Sequence, residues 1–150
     1  MNRKELHITD LEKLQNIDAE SLAAEYGYRA FKAGSSTRVN SGPNIVHYWK
    51  GEFFASFLFD QKGLRRISLM PFVPGTKVPS YPSKDYQNIK YEYCISVLKD
   101  MYGSESASDA TGTYWKEGNI TIGCTMILNG KGKYSGGDIF IDYRRAKHDG

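Results

Sequence analysis

The chain has 150 residues, 40% of them hydrophobic and 13% aromatic, with 25% charged and a net charge of only +3. That is enough apolar area to offset chain entropy, so intrinsic disorder is excluded, and no run approaches the roughly 18 apolar residues that span a bilayer. Charge is uneven: residues 1–25 carry three Lys/Arg against six Asp/Glu, and residues 26–70 carry seven against two. The basic block is spread out and interleaved with aromatics, unlike the dense stripe of a nucleic-acid binder, so nucleic acid is not an expected partner.

Met1 to Leu14 alternate charged and apolar residues. No apolar signal-peptide core is present there, and a cytoplasmic location is expected. A first helical region follows, with Leu11, Leu14, Ile17 and Leu22 as apolar positions, Asp10 or Asp18 as N-cap, and a stop at Tyr26-Gly27. After Tyr48-Trp49-Lys50 the period becomes two. Phe53, Ala55, Phe57 and Phe59 fall on one face of a strand, Asp60 to Gly63 form a turn, and Leu64 to Met70 return.

Residues 71–84 form a connector, because four of the five prolines lie between Pro71 and Pro82. A second helix from about Asp85 carries Tyr91, Cys94, Ile95, Leu98, Met101 and Tyr102 on one stripe and stops at Tyr102-Gly103. Then come Tyr114-Trp115-Lys116, an alternating strand from Ile120 to Leu128, a turn at Asn129 to Gly132, and a return strand from Ile139 to Tyr143. The order of elements matches the first half. The expected fold is therefore α+β: two pseudo-repeats, about 10–70 and 85–145, each a helix followed by an antiparallel hairpin or meander, sharing one sheet in a single domain.

Signatures of chemistry are sparse. His7, His47 and His148 are far apart in sequence, so no metal site is expected, and no cofactor motif is present. Asn129 to Lys133 is glycine-rich but has no helix behind it, and reads as a hairpin tip. Asp60, Asp138 and Asp142 are separated carboxylates at strand ends. Cys94 and Cys124 are expected to be buried, reduced thiols.

What remains is an aromatic surplus. Phe54 and Leu58 lie opposite the Phe53 stripe and need cover, from a helix or from a partner. Basic residues flank them, so Tyr48, Trp49, Lys50, Phe54, Arg65, Arg66, Tyr114 and Trp115 are the candidate binding residues, with core packing the competing role for both tryptophans. The Tyr-Gly and Tyr-Trp-Lys pairs, in their common order, resemble the β-lactamase-inhibitor-protein type of architecture, whose tandem helix-plus-sheet repeats form one concave sheet. That resemblance implies a partner protein clamped on the sheet. Members are secreted and disulfide-bonded, and here the chain differs. By type, a small aromatic-rich cytoplasmic chain without catalytic residues is also similar to the immunity proteins that neutralise toxins in bacterial competition, a resemblance that implies a bacterial source. The expected function is thus an inhibitor or immunity-like protein-binding module. The alternatives are a small-molecule binder or enzyme with a pocket between helix and sheet, using His47, Tyr48 and Asp142, and a homodimer.

Overall fold

In the computed structural model, residues 4–81, 83–127 and 134–143 are described. The turn expected at Asn129 to Gly132, and His148, lie outside them. The fold is α+β. Among the described residues, three helices accompany a ten-stranded, mostly antiparallel sheet.

The first helical region is two helices, not one: α1 (Leu11–Leu14) and α2 (Ala19–Tyr26), after a two-residue strand β1 (His7–Ile8). Both candidate caps are used. The carboxylate of Asp10 accepts from the Lys13 amide at 3.1 Å and that of Asp18 from the Ser21 amide at 2.7 Å. An N-cap takes extended dihedrals, here φ −98 and ψ 159 at Asp18, so a helix cannot run through it. Gly27 ends α2 in the left-handed region at φ 73, ψ 28. The long helix α3 (Lys84–Tyr102) is capped by Ser83 and ends at Gly103, φ 77 and ψ −141. Its buried stripe holds Gln87 and Lys90 as well as Cys94, Val97 and Leu98.

The remaining strands are β2 (Arg29–Ala33), β3 (Ser36–Asn40), β4 (Val46–Tyr48), β5 (Gly51–Asp60), β6 (Gly63–Pro71), β7 (Ala107–Asp109), β8 (Gly112–Glu117), β9 (Ile120–Thr125) and β10 (Ile139–Tyr143). The long strand β5 is central to its half: β4 pairs with its first residues and β3 with its last, on the same side, while β6 follows it antiparallel. The chain thus lays out α2 and the order β2-β3-β5-β6, then α3 and the order β7-β8-β9-β10. The last strands meet, β10 pairing antiparallel with β6 through Ile139↔Leu69 to Asp142↔Arg66. The hairpins β2–β3 and β7–β8 were not expected from sequence, because β2 and β7 are exposed along their whole length and show no alternation.

Alternation in β5 holds as expected. Phe53, Ala55, Phe57 and Phe59 are buried, and against them pack Leu64, Ile67 and Leu69 of β6, Ile139 and Ile141 of β10, Ile120 and Ile122 of β9, with Leu22 and Leu98 from the helices. Each large apolar side chain so buried contributes roughly 1.5–3 kcal/mol. Cys94 and Cys124 are buried and unbridged. Burial, and then the neighbouring Cys124 thiol, pushes the Cys94 pKa well up, which leaves it unreactive. Among the described residues, no helix is long and apolar enough to cross a membrane.

Candidate functional site

Helices α2 and α3 pack on one face of the sheet, and among the described residues no helix covers the other. Register sets its rows. One runs Arg38, Leu58, Arg66, Asp142, Thr121 and Lys116 across β3, β5, β6, β10, β9 and β8. The next runs Asn40, Ser56, Ser68, Phe140, Gly123 and Tyr114 across the same strands. The surface they form is concave, a hollow of about 790 Å³.

A bulge concentrates the charge. Leu58 pairs with Arg66, but the next residue, Phe59, pairs with Leu64, so Arg65 is an extra residue in β6. In a regular strand two consecutive arginines would point to opposite faces. With the bulge, Arg65 and Arg66 are both exposed and both line the hollow. Arg66 is held by a bidentate pair, Nε to Asp142 Oδ1 at 2.5 Å and Nη2 to Oδ2 at 2.8 Å, and its guanidinium lies 5.2 Å from the Phe140 ring centroid. Arg38 donates to the neutral Ser56 hydroxyl at 2.9 Å, and Arg65 is 3.7 Å from Asp60. Among the described residues here, three arginines stand against two carboxylates, Asp142 and Asp60.

Glycine makes room for the aromatics. A Cβ at Gly123 would sit 2.6 Å from the Phe140 ring and 2.8 Å from that of Tyr114. Both rings lie over this backbone, 6.1 Å apart and inclined by 58°. Beyond them an apolar strip continues, with Phe54 beside Met70 and edge-on to Phe72 at 5.8 Å. The cover that Phe54 needs thus comes from the connector, not from a helix.

The sequence-predicted residues fall into three places. Phe54, Arg65, Arg66 and Tyr114 are on the open face. Trp49 and Lys50 are in the β4–β5 turn, where both bond Asp100 of α3, at 2.7 Å and 3.0 Å; these contacts hold the Asp100 carboxyl below its usual pKa. Tyr48 and Trp115 are core residues, 0% and 2% exposed, and cannot meet a partner. The two Tyr-Trp-Lys runs are out of phase because Tyr48 ends a strand pointing inward, leaving Trp49 at φ 55 and 52% exposed, whereas in β8 Trp115 points inward and Tyr114 outward. Arg38, Phe140 and Gly123 had no sequence signal of their own. For the pocket alternative, His47 and Tyr48 are successive strand residues on opposite faces and Asp142 belongs to the open face, so the three do not converge.

Two of the histidines, far apart in sequence, are neighbours in the fold. Parallel pairing of β1 with β4 sets His7 opposite His47, their rings stacked at 4.3 Å and 7°, and His47 Nε2 is 2.8 Å from Glu5 Oε1. These three side chains have the ligand chemistry for a metal, with donor atoms within 4.8 Å of one another. The available signal was the amino-terminal alternation, Leu6 and Ile8 in, Glu5 and His7 out, which is that of a half-buried strand.

The fold and this face define an α+β protein with an open, cationic and aromatic sheet surface. The chain matches no protein-family profile, no curated protein and no solved structure.

Proposed function

We propose that the chain is a protein-binding module, an inhibitor or immunity-like protein that occludes an acidic surface of a toxin or enzyme with the open face of its sheet. The observation that carries this reading is the bulge at Arg65, which turns two neighbouring arginines onto one concave face beside Phe140 and Tyr114. Aromatic and arginine side chains are the types that dominate interface energetics, and a shallow hollow fits a convex protein surface. Surplus positive charge would steer an acidic partner in and raise its association rate.

The concave sheet is also the basis for reading the two halves as copies of one unit of the inhibitor type. Each has a helix followed by four strands that neighbour one another in the sheet, β2-β3-β5-β6 with β4 inserted before β5 and β7-β8-β9-β10; the alternating strands β5 and β9 hold third place, and the halves join along their last strands.

The test is affinity for the partner recovered from source cells, compared with that of the double variant Arg38→Glu/Arg65→Glu. Neither side chain is in the bidentate pair, so the fold should be kept, as seen by an unchanged circular dichroism spectrum. Affinity should fall on the order of 100-fold, more at low salt than at high. Unchanged affinity would refute the assignment of this face.

A further inference from the structure

We propose that Glu5, His7 and His47 form a binding site for a divalent transition-metal ion that favours imidazole nitrogen, of the Zn²⁺ or Ni²⁺ class. Independently of partner binding, the case rests on how the backbone presents three ligands. Glu5 and His7 are two residues apart, so an extended chain sends both side chains to the same side. His47 is directly opposite His7 in the parallel pair, and so joins them on that side. The Leu6 carbonyl accepts from the His47 amide at 2.8 Å, which fixes the relative height of the two strands.

Donor atoms are already close. Glu5 Oε1 and His47 Nε2 are 2.8 Å apart, and all three donor atoms lie within 4.8 Å of one another. Tetrahedral coordination at about 2.0–2.2 Å per ligand brings donor atoms to about 3.3 Å apart, so the remaining adjustment is about 1–2 Å. Side-chain rotation supplies that without moving the backbone, since Glu5 and His7 are exposed and His47 is partly so. The donor set, two imidazoles and a carboxylate, is one that zinc accepts with an open position, and it excludes the soft-thiolate ions. Such an ion would fasten β1, joined to β4 by only two register pairs, to the body of the sheet.

A reporter is built in. Trp49 lines the same small cleft as His7 and His47, together with Thr9 and Met101. The experiment titrates the tag-free full chain, stripped with a chelator, with ZnCl₂ in a calorimeter and with NiCl₂ while tryptophan emission is followed. The expected result is one equivalent bound with Kd below about 100 μM, and quenching by nickel. His7→Gln and His47→Gln should each weaken binding by at least about 100-fold while leaving the metal-free melting temperature within a few degrees, and Glu5→Gln should weaken it by about tenfold. His7→Gln, at an exposed position, keeps the test valid if His47→Gln disturbs the strand. Absence of one-to-one binding overturns the proposal, as does binding that survives both histidine variants or is lost with His148→Gln.

Discussion

Between pH 10 and 12 the chain is expected to lose stability at a slope that approaches about 4 kcal/mol per pH unit. Three tyrosines carry this effect. Tyr28, Tyr48 and Tyr143 are all buried, and burial is the largest cause of the raised pKa of each; that of Tyr28 is pushed up to about 12, and those of the other two higher. Tyr48 is further held by a 2.5 Å contact between its hydroxyl and that of Tyr102, and Tyr143 donates to the Leu11 carbonyl at 2.8 Å. In the unfolded chain these phenols ionise near 10. The native state therefore retains protons that the unfolded state releases, so the stabilisation is fully present below pH 10 and is lost as pH rises through the folded values. Each group adds about 1.4 kcal/mol per pH unit to the slope. Urea unfolding followed by tryptophan fluorescence at pH 8, 10 and 11 measures it, and Tyr48→Phe should flatten the slope by one such increment. A stability that stays level across this range would mean that these hydroxyls are not buried as described.

Phe57→Ala is expected to lower stability by about 3–5 kcal/mol, and Leu58→Ala, one residue on, by less than about 1 kcal/mol. Phe57 is 0% exposed, stacks with Tyr28 at a centroid distance of 6.3 Å, and pairs across strands with Val39 and Ile67. Truncating it removes transfer energy and leaves a cavity in the core. Leu58 points to the open face between Arg38 and Arg66, where the lost isopropyl group is replaced by water. For partner binding the order reverses: Leu58→Ala should weaken the complex while the fold persists. Chemical denaturation of both variants checks the first half of this prediction. Equal losses at the two positions would show that the sheet is covered on both faces.

Some of this was legible in the sequence. The β5 alternation, both aspartate caps, the proline connector and the return strand β10 follow from local rules, because each depends on residues within a few positions of one another. What was not legible depends on pairing. Exposed β2 and β7 are strands only because β3 and β8 supply hydrogen bonds, and no periodicity marks them. Nothing local announces the β6 bulge, so the shared orientation of Arg65 and Arg66 could not be read from their adjacency. Gln87 and Lys90 interrupt the apolar stripe of α3, yet are buried: the Gln87 side-chain oxygen accepts from the amides of Ile127 and Gly136, and Lys90 meets Asp138 at 3.2 Å. Those partners are about 40 or more residues away in the chain. His7 and His47 illustrate the same limit, since a two-residue parallel strand brings them together.

The most direct test places a photoreactive phenylalanine analogue at Phe140 or Tyr114 on the open face, and at Tyr81 in the connector as an exposed control, then irradiates source cells. Binding through the sheet predicts one stoichiometric protein adduct from each open-face position and none from Tyr81. Adducts from Tyr81 alone, or a chain of unaltered mass at all three positions, would contradict it.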